Sequence, residues 1–178
     1  MENYIANAVH HLHTIDKHRA LVFVNCVRAG IPLQGLVHDL SKYSPTEFLV
    51  GVKYFQGDHS PNVEERKEKG YSAAWMHHKG RNKHHFEYWF DNSTTAFNIV
   101  PVEMPTKYDI EMVCDRVAAS KVYHKDSYQD DSALKYFQMH DYSAIMHPNT
   151  QKLLRELLQM LADEGEAKTF AYIRKMKK

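Results

Sequence analysis

Thirteen of the 178 residues are histidine, and they are clustered. Four fall in the nine-residue window HHKGRNKHH, which spans His77 to His85, and three more are His10, His11 and His13. Neutral imidazole is the commonest protein metal ligand. Histidine is a mediocre helix former, so crowding it into helical sequence points to chemistry. Two His-Asp dipeptides occur, His38-Asp39 and His140-Asp141. A chain with 13 His and 11 Asp holds about one such pair by chance, so the dipeptide alone decides nothing. Context separates them. His38-Asp39 stands in HDLSK, with histidine pairs about 40 residues later and Asp115 about 76 residues later. His140-Asp141 has no comparable set after it.

Mixed imidazole and carboxylate ligands suit a divalent transition metal (Mn, Fe, Co, Ni or Zn) rather than the all-oxygen shells of Mg and Ca. Two such ions a few Å apart clamp the attacking and leaving oxygens of a phosphoryl transfer. One or two ions are therefore expected. His18 is the early-helix candidate: it lies two turns from His11, and Ile15 and Val22 flank it one turn either way. His38 and Asp39 follow on a short helix, where neighbours point about 100° apart and reach one ion or bridge two. In HHKGRNKHH, His78 and His85 are favoured, with His77 and His84 as alternatives. His10, His11 and His13 read as surface or packing residues, with His11 the exception to check.

An unpaired buried carboxylate is costly, so Asp115, beside the apolar stripe of its helix, is either a ligand or a salt-bridge partner. Asp39, Lys42 and Arg81 are the candidate catalytic residues. Lys42, Lys79, Arg81 and Lys83 are candidate phosphate contacts, and Arg81 leads because a guanidinium binds phosphate bidentately. Glu47 and Glu111 could orient imidazole N–H groups, as outer carboxylates of metal sites do. Trp75, Phe86, Tyr88 and Trp89 read as core rather than as a stacking platform.

These residues need helices to position them. Glycine and proline together number 13, no more than histidine alone, too few for a β-sandwich with its frequent turns. Helices are expected over 3–28, 33–42, from Pro45 onward, 71–78, 107–124, 132–140 and from about 150, with a last one beyond Gly165. Gln56 to Gly70 is polar and charged and reads as a mobile loop or lid. Residues 91–106 read as an irregular connector. The class is all-α: a single domain, 1–178, of about seven or eight helices.

Lys and Arg number 23 against 22 Asp and Glu, a net charge of +1, which argues against a nucleic-acid partner. Cys26 and Cys114 form no CxxC or disulfide ladder, and no secretory signal or membrane span is visible. A cytoplasmic, reducing setting without membrane association is expected. No heptad seam shows an oligomeric state.

The order His, His-Asp, further His, closing Asp resembles that of HD-domain metal-dependent phosphohydrolases. HDLSK resembles the HDxGK motif of the HD-GYP phosphodiesterases, with serine for glycine, but no GYP-like element follows. More extensively, HDLSKYSPTEF, AWMHHKGRNKHHFEYW, EMVCDRVAAS and MHPNTQKLLRELL are similar to an uncharacterised family of Firmicutes and their phages, a domain of unknown function. The HD resemblance implies an HD-like helical fold and a metal set of His18, His38, Asp39, His78, His85 and Asp115. It also implies hydrolysis of a small phosphorylated substrate, a nucleotide or another phosphate ester. The alternatives are a metal-binding or interaction protein without turnover, and a helical nucleic-acid module built on RNKHH.

Overall fold

The structure, a computed structural model, describes residues 2–95 and 98–176. Eight α-helices are found among them, with one two-stranded sheet, and the all-α expectation holds. Helix α1 spans Glu2–Ala29 and ends at Gly30, whose φ of 80° no other residue adopts cheaply. Helix α1 buries its apolar residues only in its second half. Ile15, Val22 and Cys26 are buried, whereas Ile5 and Leu12 are exposed.

Helix α2 (Pro32–Val37) folds back on α1, and Gly35 makes the approach possible. A Cβ there would lie 2.6 Å from that of Cys26. The helix predicted over 33–42 breaks after Val37. Asp39 takes a left-handed conformation, φ 54° and ψ 25°, and Leu40–Tyr43 follow as a 3-10 turn. Such a conformation costs about 1–3 kcal/mol in a non-glycine residue and persists only where its surroundings enforce it. Arg19 of α1 does so here. Its Nε donates to the His38 carbonyl at 2.8 Å and its Nη2 to that of Leu36 at 3.0 Å. The exposed carbonyls at the end of α2 are thus satisfied from another helix.

Helix α3 (Pro45–Lys53) starts where Ser44-Pro45 predicts. The expected lid is corrected. Residues Pro61–Lys69 form helix α4, begun by the Ser60 side chain accepting from the Asn62 amide and ended at Gly70, φ 80°. Its hydropathy misleads because its anchor is polar. Glu65 is fully buried and accepts from Ser72 Oγ at 2.7 Å and Lys69 Nζ at 3.0 Å. Helix α5 (Ala73–Lys79) follows, capped by Ser72.

Strands β1 (Phe90–Asn92) and β2 (Ile99–Pro101) form an antiparallel pair within the expected connector, of which residues 96–97 lie outside the described residues. Helix α6 (Thr106–His124) is the central element. Its Ile110, Val113, Cys114, Val117 and Ala118 are fully buried, as its spacing predicts. Asn25 of α1 donates to the Cys114 carbonyl at 3.1 Å and ties the two long helices together. Helix α7 (Ser132–Gln138) and α8 (Pro148–Met176) close the core through Phe137, Leu154, Leu158 and Leu161. The two C-terminal helices expected are present as the two segments of α8, which meet at a kink at Gly165, whose φ of 78° and ψ of 170° are not helical. No helix of the described residues is long and apolar enough to cross a membrane.

Candidate metal centre

Four segments bring their polar side chains together beside α6. His18 comes from α1, His38 and Asp39 from the turn after α2, His78 from the end of α5, and His84 and His85 from the loop beyond it. Asp115 and Glu111 come from α6, one turn apart. The left-handed turn buries Asp39 completely. Its two oxygens face different groups. Oδ2 lies 3.6 Å from His18 Nε2 and 3.3 Å from His38 Nε2. Oδ1 lies 3.2 Å from His78 Nε2 and 3.5 Å from His84 Nε2. Asp115 Oδ1 completes the first side, 3.0 Å from His18 Nε2 and 3.5 Å from His38 Nε2. His85 Nε2 completes the second, 2.9 Å from His78 Nε2.

Two four-residue donor sets result, His18–His38–Asp39–Asp115 and Asp39–His78–His84–His85, beside a smaller group of His38, His84 and Glu111. Within each, the four ligand atoms lie within 4.8 Å of one another. Asp39 belongs to both.

Behind the histidines stand the two glutamates. His38 Nδ1 donates to Glu111 Oε1 at 3.0 Å, and His84 Nδ1 reaches the same oxygen at 3.2 Å. Gln34 Nε2 donates to the other Glu111 oxygen at 2.8 Å. Glu47 Oε2 accepts from His78 Nδ1 at 2.8 Å, while its Oε1 holds His77 Nδ1 at 2.6 Å. A proton held on Nδ1 leaves the Nε2 lone pair pointing inward. His18 Nε2, His38 Nε2, His84 Nε2 and both Asp39 oxygens are buried, and none has a partner in hydrogen-bonding geometry. Orphaned buried polar atoms are rare and costly. These five, gathered on the two sides of Asp39 with only the Lys42 ammonium against its Oδ2, are donors of the kind that fit a cation.

Electrostatics agree. Burial opposes ionisation of Asp39, but His38, Lys42 and His78 outweigh it and hold the carboxyl well below its usual range. Burial likewise opposes the charge on Asp115, and His18 and His38 overcome it. Glu111 is held down at about 2, against burial, by His38 and His84. Burial, then the charge of His38, lowers His84. Burial, then His84 and His78, pushes His85 well below its ordinary value. Both stay neutral, the form that ligates. Burial also disfavours charge on His38 and His78, yet Asp39 raises both.

A cleft of about 700 Å³ opens onto His18, Lys42, His78, His85 and Asp115. Lys42 Nζ sits 2.6 Å from Asp39 Oδ2. Trp75, expected in the core, instead lines the cleft, its ring 5.5 Å from that of His78 and 4.7 Å from that of His85. Arg66 of α4 lines it too, 5.7 Å over Trp75.

All six expected ligands, His18, His38, Asp39, His78, His85 and Asp115, are brought together, and so is His84, the alternative at its pair. His77 is turned away to Glu47. Arg81 stands apart from the cluster. It is exposed, donates to the His77 carbonyl at 3.2 Å, and does not line the cleft. Its place in a polar turn aims it outward, and Arg66 and Arg116 face the cleft instead. Arg66 was hidden because its segment read as a loop. Nothing in the sequence distinguished Arg116 from an ordinary helix-surface arginine.

A family profile described as a family of unknown function, DUF5662, matches residues 7–160. The chain belongs to this family. The match takes in every residue of both donor sets and leaves only the end of α8 and the first residues outside. Comparison with curated proteins and comparison with solved structures each return no match.

Proposed function

We propose that the chain is a metal-dependent phosphohydrolase of a small phosphate ester, with two divalent transition-metal ions held by the two donor sets and bridged by Asp39. The observation that carries this reading is the gathering of buried donor atoms of His18, His38 and His84 around Asp39, beside an open cleft lined by His18, His78, His85 and Asp115. His78 and His85 Nε2, aimed at one space from 2.9 Å apart, extend it to a second ion. The set is rich in imidazole, which favours Mn, Fe, Co, Ni or Zn. The order of ligands along the chain resembles that of HD-domain hydrolases.

When bound, such a pair of ions supplies Lewis-acid activation of water and neutralises charge on a phosphoryl group. The chain's own residues do the rest. Glu111 and Glu47 hold the imidazoles on their Nδ1 sides, so the Nε2 lone pairs need no reorganisation. Lys42, kept charged against burial by Asp39 and Asp115, places an ammonium at the cleft floor where a phosphate oxygen would lie. Arg66 is placed to cover the phosphate from the side of α4. A cleft open on one side of the cluster favours turnover over a purely structural metal, whose site is normally closed.

The test has two stages. Protein purified without a histidine tag is analysed for metal and then titrated with Mn, Fe, Co, Ni and Zn. About two ions per chain are expected, and absence of uptake overturns the reading. Metal-loaded protein is then screened against phosphomonoesters and nucleotides beside Asp39→Ala. Hydrolysis that vanishes in the variant supports the proposal. Hydrolysis that survives it comes from elsewhere, and metal without any hydrolysis points to a binding protein.

A further inference from the structure

Three residues lining the cleft carry orphaned atoms that the metal centre does not use, and one of them, His11 Nδ1, sits among the rings of Phe48 and Phe55. Glu87 Oε2 and Arg116 Nε are both buried without a hydrogen-bonding partner, and both residues line the cleft. They follow directly on the candidate ligands in sequence: Arg116 adjoins Asp115, and Glu87 lies two residues past His85. Each lies within electrostatic reach of the other, yet they form no ion pair among the described residues. Burial pushes the Glu87 carboxyl up, and a hydrogen bond from its own backbone and then the Arg116 charge only partly offset this. An unpaired buried group is costly because it gives up its hydrogen bonds to water with nothing in return. A site that carries one acceptor and one donor at that cost has a ligand edge to meet them.

The walls around the pair are flat. Phe86 meets Tyr142 edge-on at 5.5 Å, and both line the cleft. The Arg116 guanidinium is anchored 5.8 Å from the rings of Tyr142 and Phe137, so its Nε is presented in a fixed direction. Aromatic walls with a few fixed polar groups are how pockets select planar ligands.

We infer that Glu87 and Arg116 are specificity residues that bind a planar heteroaromatic ring, carried by the phosphate ester, through an edge offering a donor beside an acceptor. Arg116 Nε–H donates to a ring acceptor, and Glu87 Oε2 accepts from a ring N–H or exocyclic amine. The substrate class is then a ring-bearing ester of the nucleoside-monophosphate kind rather than a plain sugar phosphate. This rests on the phosphohydrolase reading above.

The test is calorimetric titration of metal-loaded protein with the four common nucleoside monophosphates, ribose 5-phosphate and inorganic phosphate. At least one nucleotide should bind roughly tenfold or more tightly than ribose 5-phosphate. Glu87→Met and Arg116→Lys should each collapse that ratio towards unity while metal content and the far-ultraviolet circular dichroism stay as in the wild type. Arg116→Lys retains the charge and removes the Nε donor, so loss of the ratio there marks a hydrogen bond rather than a field. Equal binding of ring-bearing and ring-free phosphates, or a ratio that survives both variants, overturns the specificity role alone. Failure of every phosphate, inorganic phosphate included, to bind the metal-loaded protein overturns the phosphohydrolase reading together with it.

Discussion

Helix α1 carries two buried histidines seven residues apart, His11 and His18, with exposures of 8% and 7%. Their spacing puts them on one face, and nothing local tells them apart. Their partners do. His18 meets Asp39 and Asp115. His11 meets rings: Phe48 at 5.5 Å and Phe55 at 5.8 Å between centroids. Burial, then the Lys42 charge, pushes His11 down to about 4, so it is an apolar neutral ring in function. It belongs to neither donor set. Gly51 of α3 makes room for it, since a Cβ there would run into the imidazole. Seven residues along one helix separate a carboxylate-lined site from an aromatic one, and a histidine's chemistry is set by what packs against it.

Metal content is the sharpest way to break this contrast. The largest effect is expected for Asp39→Ala, which removes the ligand common to both sets, so both ions and all hydrolysis should be lost. His18→Ala should lose the ion of the first set only, while His11→Ala keeps both. Equal metal loss in the two variants would erase the distinction. Next comes Glu111→Gln, which leaves every ligand in place and should weaken metal affinity by about 10–100-fold, read by competition with a chromophoric chelator.

Smaller effects fall on stability. His11→Ala should cost about 2 kcal/mol at pH 7.5 in urea unfolding, as loss of a packed ring does. Because the folded-state pKa of His11 lies below the unfolded value, its stabilisation is complete above pH 6.5 and is lost as pH falls towards 4. The deficit of His11→Ala relative to wild type should therefore shrink over that window. A deficit independent of pH would mean that the ring titrates freely. Gly51→Ala should cost about 1–3 kcal/mol by overpacking His11, with metal content unchanged.

The two His-Asp dipeptides show how far sequence reaches. Their context distinguished them, and the structure agrees. Asp39 is buried at the centre, whereas His140 and Asp141 lie at the surface, the latter merely accepting from the Ser143 amide at 2.9 Å. The helix expected through His38-Asp39 ends before them, because the left-handed Asp39 depends on Arg19 from α1, a contact between elements. Likewise α4 was missed although Ser60-Pro61 and Gly70 mark its ends, since its anchor Glu65 is a polar residue buried only against the segment that follows.

The sequence by itself determined the helical class, the core stripe of α6, and the residue types and order from which a metal centre could be made. Those depend on helical period, caps and ligand chemistry, all local. The tertiary structure decided which imidazoles share a donor set, that His84 joins and His77 does not, that Glu111 serves two histidines at once, and that Arg116 rather than Arg81 faces the cleft. Those are matters of where four separate segments meet around α6, and a side chain's direction at such a junction is fixed by packing between elements and not by its neighbours in the chain.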